Sequence, residues 1–219
     1  DNGETAQAGS YFETGKMEEP WQGQWISPEN STSSAILRKK FIVEALGTAR
    51  LYMCGLGIYE CYINGKKAGN EFLAPGYHSY DFHLQAQTYD VTDLLENGEN
   101  EIAIWLGEGW FKGRLGFGGG YTNLYGDRLY AIGELYISQG GQEACVVCTD
   151  STWESCPSPV TFNNIYDGEI YDARREALVP EGGVYVKAPE KCGKPGDRYS
   201  LPVVKKETFA VKSLIKTPG

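Results

Sequence analysis

From residue 35 onward the chain alternates short β-branched and aromatic runs with Gly, Asn and Pro, a rhythm that leaves room for strands and turns and little else. The runs fall at 36–43, 49–53, 59–63, 101–106, 129–137 and 144–148. No segment keeps apolar residues three and four apart over the roughly ten positions that an amphipathic helix requires. Only Val91-Thr92-Asp93-Leu94-Leu95 looks like a single helical turn, and it leads through Asn97-Gly98-Glu99-Asn100 into the 101–106 strand. Asn64-Gly65 is a strong hairpin signal, because both central positions of a type I′ turn need positive φ. Tyr59, Cys61 and Ile63 alternate with Glu60 and Tyr62, the pattern of a strand with one buried face. These elements predict an all-β chain of two packed antiparallel sheets, a jelly-roll or β-sandwich with loops gathered at its ends.

Composition narrows the partners. A chain of 219 residues holds one full β domain plus pieces at its ends. Its net charge of -9, uninterrupted by any Lys/Arg stripe, repels phosphate backbones, so nucleic acid is not an expected partner. No run approaches the roughly 18 apolar residues of a membrane span, so no membrane partner is expected either. The 15 Tyr and 5 Trp are side chains that stack on the C–H faces of sugars while offering a polar tip. Asp1-Asn2-Gly3-Glu4 has neither the basic region nor the apolar stretch of a secretory signal, and a cytoplasmic location is favoured over a secreted one. The six cysteines, at 54, 61, 145, 148, 156 and 192, read mostly as free thiols, with disulfide scaffolding as the alternative. Cys145-Val-Val-Cys148 has the spacing of half a zinc knuckle, but neither a second pair nor a well-placed His follows it.

The polar stretch to about Thr14 is expected to be mobile or to belong to a missing neighbour, with structure starting near Trp21. After Arg175 the Pro, Gly and Lys of 179–183 and 191–197 read as a connector, with Val203-Val204 and 209–215 expected to pair as edge strands. The segment 107–126 is the most unusual: eight glycines surround Trp110, Phe117, Tyr121 and Tyr125. It lacks the Lys-Ser/Thr and the helix of a phosphate loop. A sugar site here would use Trp110 or Tyr121 as a stacking face and Arg114, Asn123 and Asp127 as planar partners for vicinal hydroxyls. The competing arrangement puts Trp110 and Phe111 in the core and pairs Asp127 with Arg128 or Arg114. Asp167, Glu169 and Asp172 could in principle supply a glycosidase's acid and base. Asp167-Gly168 is also a turn signal, however, and Asp172-Ala173-Arg174 can fix a strand end by a charge-assisted bond. His78 and His83 read as surface or hydrogen-bonded loop residues.

An ordered set of motifs resembles the amino-terminal region of bacterial α-L-rhamnosidases of glycoside hydrolase family 78. It runs from Tyr11-Phe12-Glu13-Thr14-Gly15 and Trp25-Ile26 through Tyr62-Ile63-Asn64-Gly65-Lys66 and Leu73-Ala74-Pro75-Gly76-Tyr77. It continues with Gly109-Trp110-Phe111-Lys112-Gly113-Arg114, Tyr125-Gly126-Asp127-Arg128 and Tyr166-Asp167-Gly168-Glu169. The resemblance implies a galactose-binding-like sandwich over 25–178, with the end of a preceding β domain or a linker at 1–24. A connector and the start of the next β domain would follow at 179–219. It places the catalytic carboxylates in a helical barrel that this sequence lacks, so the chain is expected to be inactive alone. Its expected role is accessory, helping to bind rhamnose-containing glycans, or else structural, packing on the catalytic barrel of the same polypeptide or mediating oligomerisation. Some members carry a calcium-assisted rhamnose site, which makes Asn70 and Glu71 candidate calcium ligands, with Tyr77 and Asp81 completing the site or merely capping a loop. Members often show an acidic residue where Asn70 stands, and a hard cation wants about six to eight oxygens.

Overall fold

The computed structural model describes residues 5–10, 12–31, 33–177 and 179–216. The opening Asp1-Asn2-Gly3-Glu4, Tyr11 and the closing Thr217-Pro218-Gly219 lie outside the described residues. The first strands are β1 (Ile26–Pro28), β2 (Ala35–Val43), β3 (Thr48–Leu56), β4 (Ile58–Ile63), β5 (Lys66–Lys67), β6 (His83–Asp90) and β7 (Gly98–Gly107). A single helical turn, α1 (Gly109–Lys112), follows β7. Then come β8 (Tyr130–Gln139), β9 (Gln142–Cys148), β10 (Glu154–Pro157), β11 (Val160–Asn164), β12 (Gly168–Tyr171), β13 (Val184–Val186) and β14 (Lys194–Asp197). One seven-stranded sheet runs β13-β1-β8-β3-β6-β14, with β9 also paired to β8, and a five-stranded sheet runs β10-β2-β7-β4-β5. Pairing is antiparallel except between β14 and β6, and β11 with β12 forms a separate hairpin.

The sandwich follows from period-two alternation. Phe41, Ile63, Ile102 and Ile104 of the smaller sheet meet Leu51, Met53, Leu135 and Ile137 of the larger in one buried cluster, while their strand neighbours turn outward. Each such side chain contributes roughly 1.5–3 kcal/mol by leaving water. At the predicted hairpin Asn64 and Gly65 have φ of 51° and 75°. The Asn64 side chain then ties this turn to the next one. Its Nδ2 donates to Leu94 O (3.0 Å) and Asn100 Oδ1 (2.8 Å), and its Oδ1 accepts from Glu101 N (3.0 Å). The expected helical turn is a short 3-10 turn at Thr92–Leu94.

Several elements differ from the sequence reading. β6 escaped it because its core-facing side chains are polar. Gln85 Oε1 accepts from Ser200 N (2.9 Å), and Gln87 Oε1 accepts from the Tyr59 hydroxyl (2.7 Å), so both amides are buried yet satisfied. Order begins before Trp21. Lys16 is buried among the rings of Trp21, Tyr52 and Tyr136 and pairs with Glu134, whose Oε2 also accepts from Gln22 N and Gly23 N. The stretch expected as a connector supplies β13 and β14 to the larger sheet. Val204 makes only an isolated bridge to Glu71, and the strand expected at 209–215 does not form. All six cysteines are free thiols. No helix among the described residues is long and apolar enough to cross a membrane.

His78 is a loop residue, as expected, but a buried one rather than a surface one. It is 3% exposed, 5.4 Å from the Tyr80 ring, and neither ring nitrogen has a well-aligned hydrogen bond. Burial therefore lowers its pKa from the ordinary 6.5 to about 4, offset in part by the backbone of Pro75 and reinforced by His83.

Two outcomes are expected. Asn64→Ala leaves buried amide partners unpaired and puts a Cβ residue without local hydrogen bonds at positive φ, which costs about 2–3 kcal/mol, read as a lower urea midpoint at pH 7. His78 is neutral in the folded chain, so its contribution is intact above pH 6.5 and is lost as pH falls through about 4. Wild type should lose up to about 3 kcal/mol more stability across that window than His78→Gln, and parallel curves would contradict the assignment.

Candidate functional site

The loops at one end of the sandwich converge on an aromatic cluster. The α1 turn drives Phe111 into the core against Tyr80, ring centres 5.1 Å apart, and leaves Trp110 half-buried 6.2 Å from Tyr77. Tyr125 closes the cluster, 4.7 Å from Tyr80, with its hydroxyl 2.7 Å from that of Tyr77. That hydrogen bond and burial push the Tyr125 hydroxyl up to about 12, so it stays protonated and can donate. Gly126 is required by close approach: a Cβ there would come within 2.5 Å of the Phe111 ring.

Beside this cluster lies an open groove of about 880 Å³. Tyr125, Asp127, Arg128, Tyr130, Tyr185 and Glu190 are among the residues that line it. Arg128 is its fixed element. Its Nη2 donates to Pro28 O (2.5 Å), its Nε to Ser27 Oγ (3.3 Å), and its guanidinium lies 4.9 Å over the Tyr185 ring. Such a groove offers apolar ring faces and a carboxylate at its rim, the combination a sugar's C–H face and vicinal hydroxyls use.

The structure brings only part of the sequence-derived set here. Asp127 lines the groove and, among the described residues, forms no ion pair, so neither Arg114 nor Arg128 is its partner. Trp110 stands behind Tyr77 in the aromatic cluster. Arg114 is committed to Asp167 by two bonds, 2.8 and 2.6 Å, and stacks over Tyr166 at 5.2 Å. Tyr121 is 76% exposed, its backbone paired with Leu115, and Asn123 is exposed with φ of 57° and its N–H on Lys112 O. Sequence reasoning missed Arg128, Tyr130, Tyr185 and Glu190 as lining residues. Arg128 directly follows Asp127 in Tyr125-Gly126-Asp127-Arg128, whereas Tyr185 falls in the stretch expected as a connector.

Asp167 and Asp172 have structural partners, whereas Glu169 is exposed on β12. The Arg114 guanidinium holds Asp167 below the usual carboxylate range, and Asp172 is lowered likewise by its bonds to the Arg174 side chain and backbone. A general acid needs the opposite shift. Glu71 pairs with Arg198 at 2.5 Å, so a guanidinium stands where a cation would have to sit, and Asn70 beside it is exposed. The described residues contain no group of three or more His, Cys, Asp or Glu able to hold a metal. This donor set does not fit a calcium ion.

Comparison with known proteins places the fold. The profile of the α-L-rhamnosidase N-terminal domain matches residues 44–179. An α-L-rhamnosidase of Streptomyces avermitilis is 32% identical over 158 residues, covering 70% of this chain and 15% of the relative. One from Formosa agariphila is 32% identical over 173 residues, covering 75% of this chain and 17% of the relative. The chain thus spans less than a fifth of the length of either curated relative. Among solved structures, native α-L-rhamnosidase from Aspergillus terreus superposes with a TM-score of 0.72 at 34% identity, covering 76% of this chain and 21% of that one. The S. avermitilis α-L-rhamnosidase complexed with L-rhamnose also gives 0.72, at 28% identity, covering 80% and 18%. On a profile match across most of the sandwich, with relatives above 30% identity in sequence and structure, the chain belongs to the α-L-rhamnosidase N-terminal domain family.

Proposed function

We propose that this domain serves as a non-catalytic accessory module of an α-L-rhamnosidase and that its loop-end groove contacts rhamnose-containing glycans. The observation that carries this reading is the groove itself: Tyr185, Tyr125 and Tyr130 beside Asp127 and Glu190, next to a rigid Arg128. A deoxy sugar presents one methyl-bearing apolar face and several hydroxyls, which suits ring faces flanked by carboxylate acceptors. The engaged states of Asp167 and Asp172 support a role without bond cleavage, the chemistry being left to the catalytic barrel of the same polypeptide.

A second reading, a structural domain packing on that barrel or mediating oligomerisation, draws on a different observation. Phe117 is 96% exposed and Leu124 55%, on the same glycine-rich loop as Tyr121. Apolar side chains held out to water on a constrained loop suit a protein neighbour as well as a ligand.

Titration calorimetry with L-rhamnose and a rhamnosyl disaccharide separates the two. Glycan binding predicts a Kd on the order of 0.1–1 mM, weakened about tenfold by Tyr185→Ala or Asp127→Asn. The Phe117→Ser variant should leave it unchanged. No heat at millimolar sugar would remove the glycan reading and leave the structural one.

A further inference from the structure

The Cys145-Val146-Val147-Cys148 segment has a geometry that neither the groove nor the core explains. In a regular strand, positions three apart point to opposite faces and their Cα atoms lie about 10 Å apart. Here β9 carries a bulge against β8. Tyr136 pairs with Cys145, Leu135 with Val147 and Glu134 with Cys148, leaving Val146 as the extra residue. The consequence is an out-in-in-out pattern, with Val146 and Val147 both packed on the core and the two cysteines both turned to the outer face. By that register their Cα separation approaches that of Glu134 and Tyr136 across the ladder, about 7 Å, just beyond the roughly 4.4–6.8 Å that a disulfide spans, so closure needs a small backbone movement. The Cys145 thiol donates to Val147 O at 3.6 Å, and each cysteine is among the groups that shift the other's pKa. Both residues are partly accessible, and among the described residues β9 pairs with β8 alone, which leaves its other edge unpaired.

We propose that Cys145 and Cys148 are a redox-convertible dithiol that closes to an intrastrand disulfide by exchange with low-molecular-weight disulfides. The Cys148 thiolate, disfavoured by Asp150 and Glu134 and favoured by the Lys39 that pairs with Asp150, attacks one sulfur of oxidised glutathione and expels a glutathione thiolate, which takes up a proton. The Cys145 thiol gives its proton to solvent and attacks the Cys148 sulfur of the mixed disulfide, expelling the second glutathione. Two protein thiols are oxidised and one external disulfide is reduced. Burial pushes both thiols up, Cys145 to about 12, so the exchange is slow at neutral pH and accelerates in mild alkali.

The test treats the folded protein with oxidised glutathione at about pH 8.5, where the thiolate fraction is raised. Remaining thiols are then blocked, and the chain is cleaved after glutamate, which releases both sulfurs in the peptide 144–154. Wild type is expected to lose two of its six thiols, retain no glutathione, and yield that peptide lighter by two hydrogens, restored by dithiothreitol. Cys145→Ser, which lacks the resolving thiol, should instead keep glutathione on Cys148. The proposal is overturned if wild type keeps glutathione on either cysteine, if either bonds to Cys156, or if neither reacts in the folded protein while both react in urea.

Discussion

The interlocking of two inner faces, in which every second side chain of five or more strands must find a gap in the opposite sheet, is the constraint from which the rest of this molecule follows. A one-residue slip in β3, β4 or β7 would send Leu51, Ile63 or Ile104 to water and bring Tyr52, Tyr62 or Trp105 inward. Register is therefore fixed by the apolar filling, and the loops inherit their positions from it. The convergence of the 74–83, 109–126 and 185–191 segments at one end reflects where β7 and β13 end and β4, β6 and β8 begin.

Buried polar side chains perform a second task, joining elements that the apolar filling does not touch. Asn163 accepts from Glu108 N at 2.7 Å and donates to Ser34, so the separate β11–β12 hairpin is tied to the approach to α1. The Arg114–Asp167 ion pair repeats that link from the glycine-rich loop. On the far face, Lys16 and Glu134 fasten the amino-terminal segment over the larger sheet. The buried anchors, Asn163 and Lys16–Glu134, are strong because removing one partner strands the other out of water, whereas the Arg114–Asp167 pair is exposed and contributes little.

What could be read beforehand follows the same division. The strands whose inner faces are apolar, β2, β3, β4, β7, β8 and β9, were legible from alternation, as was the Asn64-Gly65 turn from its backbone requirement. β6 was hidden because Gln85 and Gln87 occupy core positions, and β13 and β14 because strands of three and four residues carry too little pattern. Within the candidate site, Asp127 and the aromatic setting were legible from local sequence. Tyr185 was not, since its place beside Arg128 depends on pairing between β13 and β1. Arg114 illustrates the converse: a planar donor that looked available in sequence is consumed by Asp167, 53 positions away.

The parallel pairing of β14 with β6 joins positions roughly 110 residues apart, Lys194 with His83, and no hairpin can shorten that distance. On a ribosome, where the chain emerges from its amino end, the outer rim of the larger sheet must wait until residue 197 has cleared the exit tunnel. Until then β6 presents an open edge and the Gln85 amide lacks its partners at Tyr199 and Ser200. Vectorial synthesis thus exposes a nascent chain of this kind to chaperones, or to pairing with a neighbouring nascent copy, for a longer interval than its size alone implies.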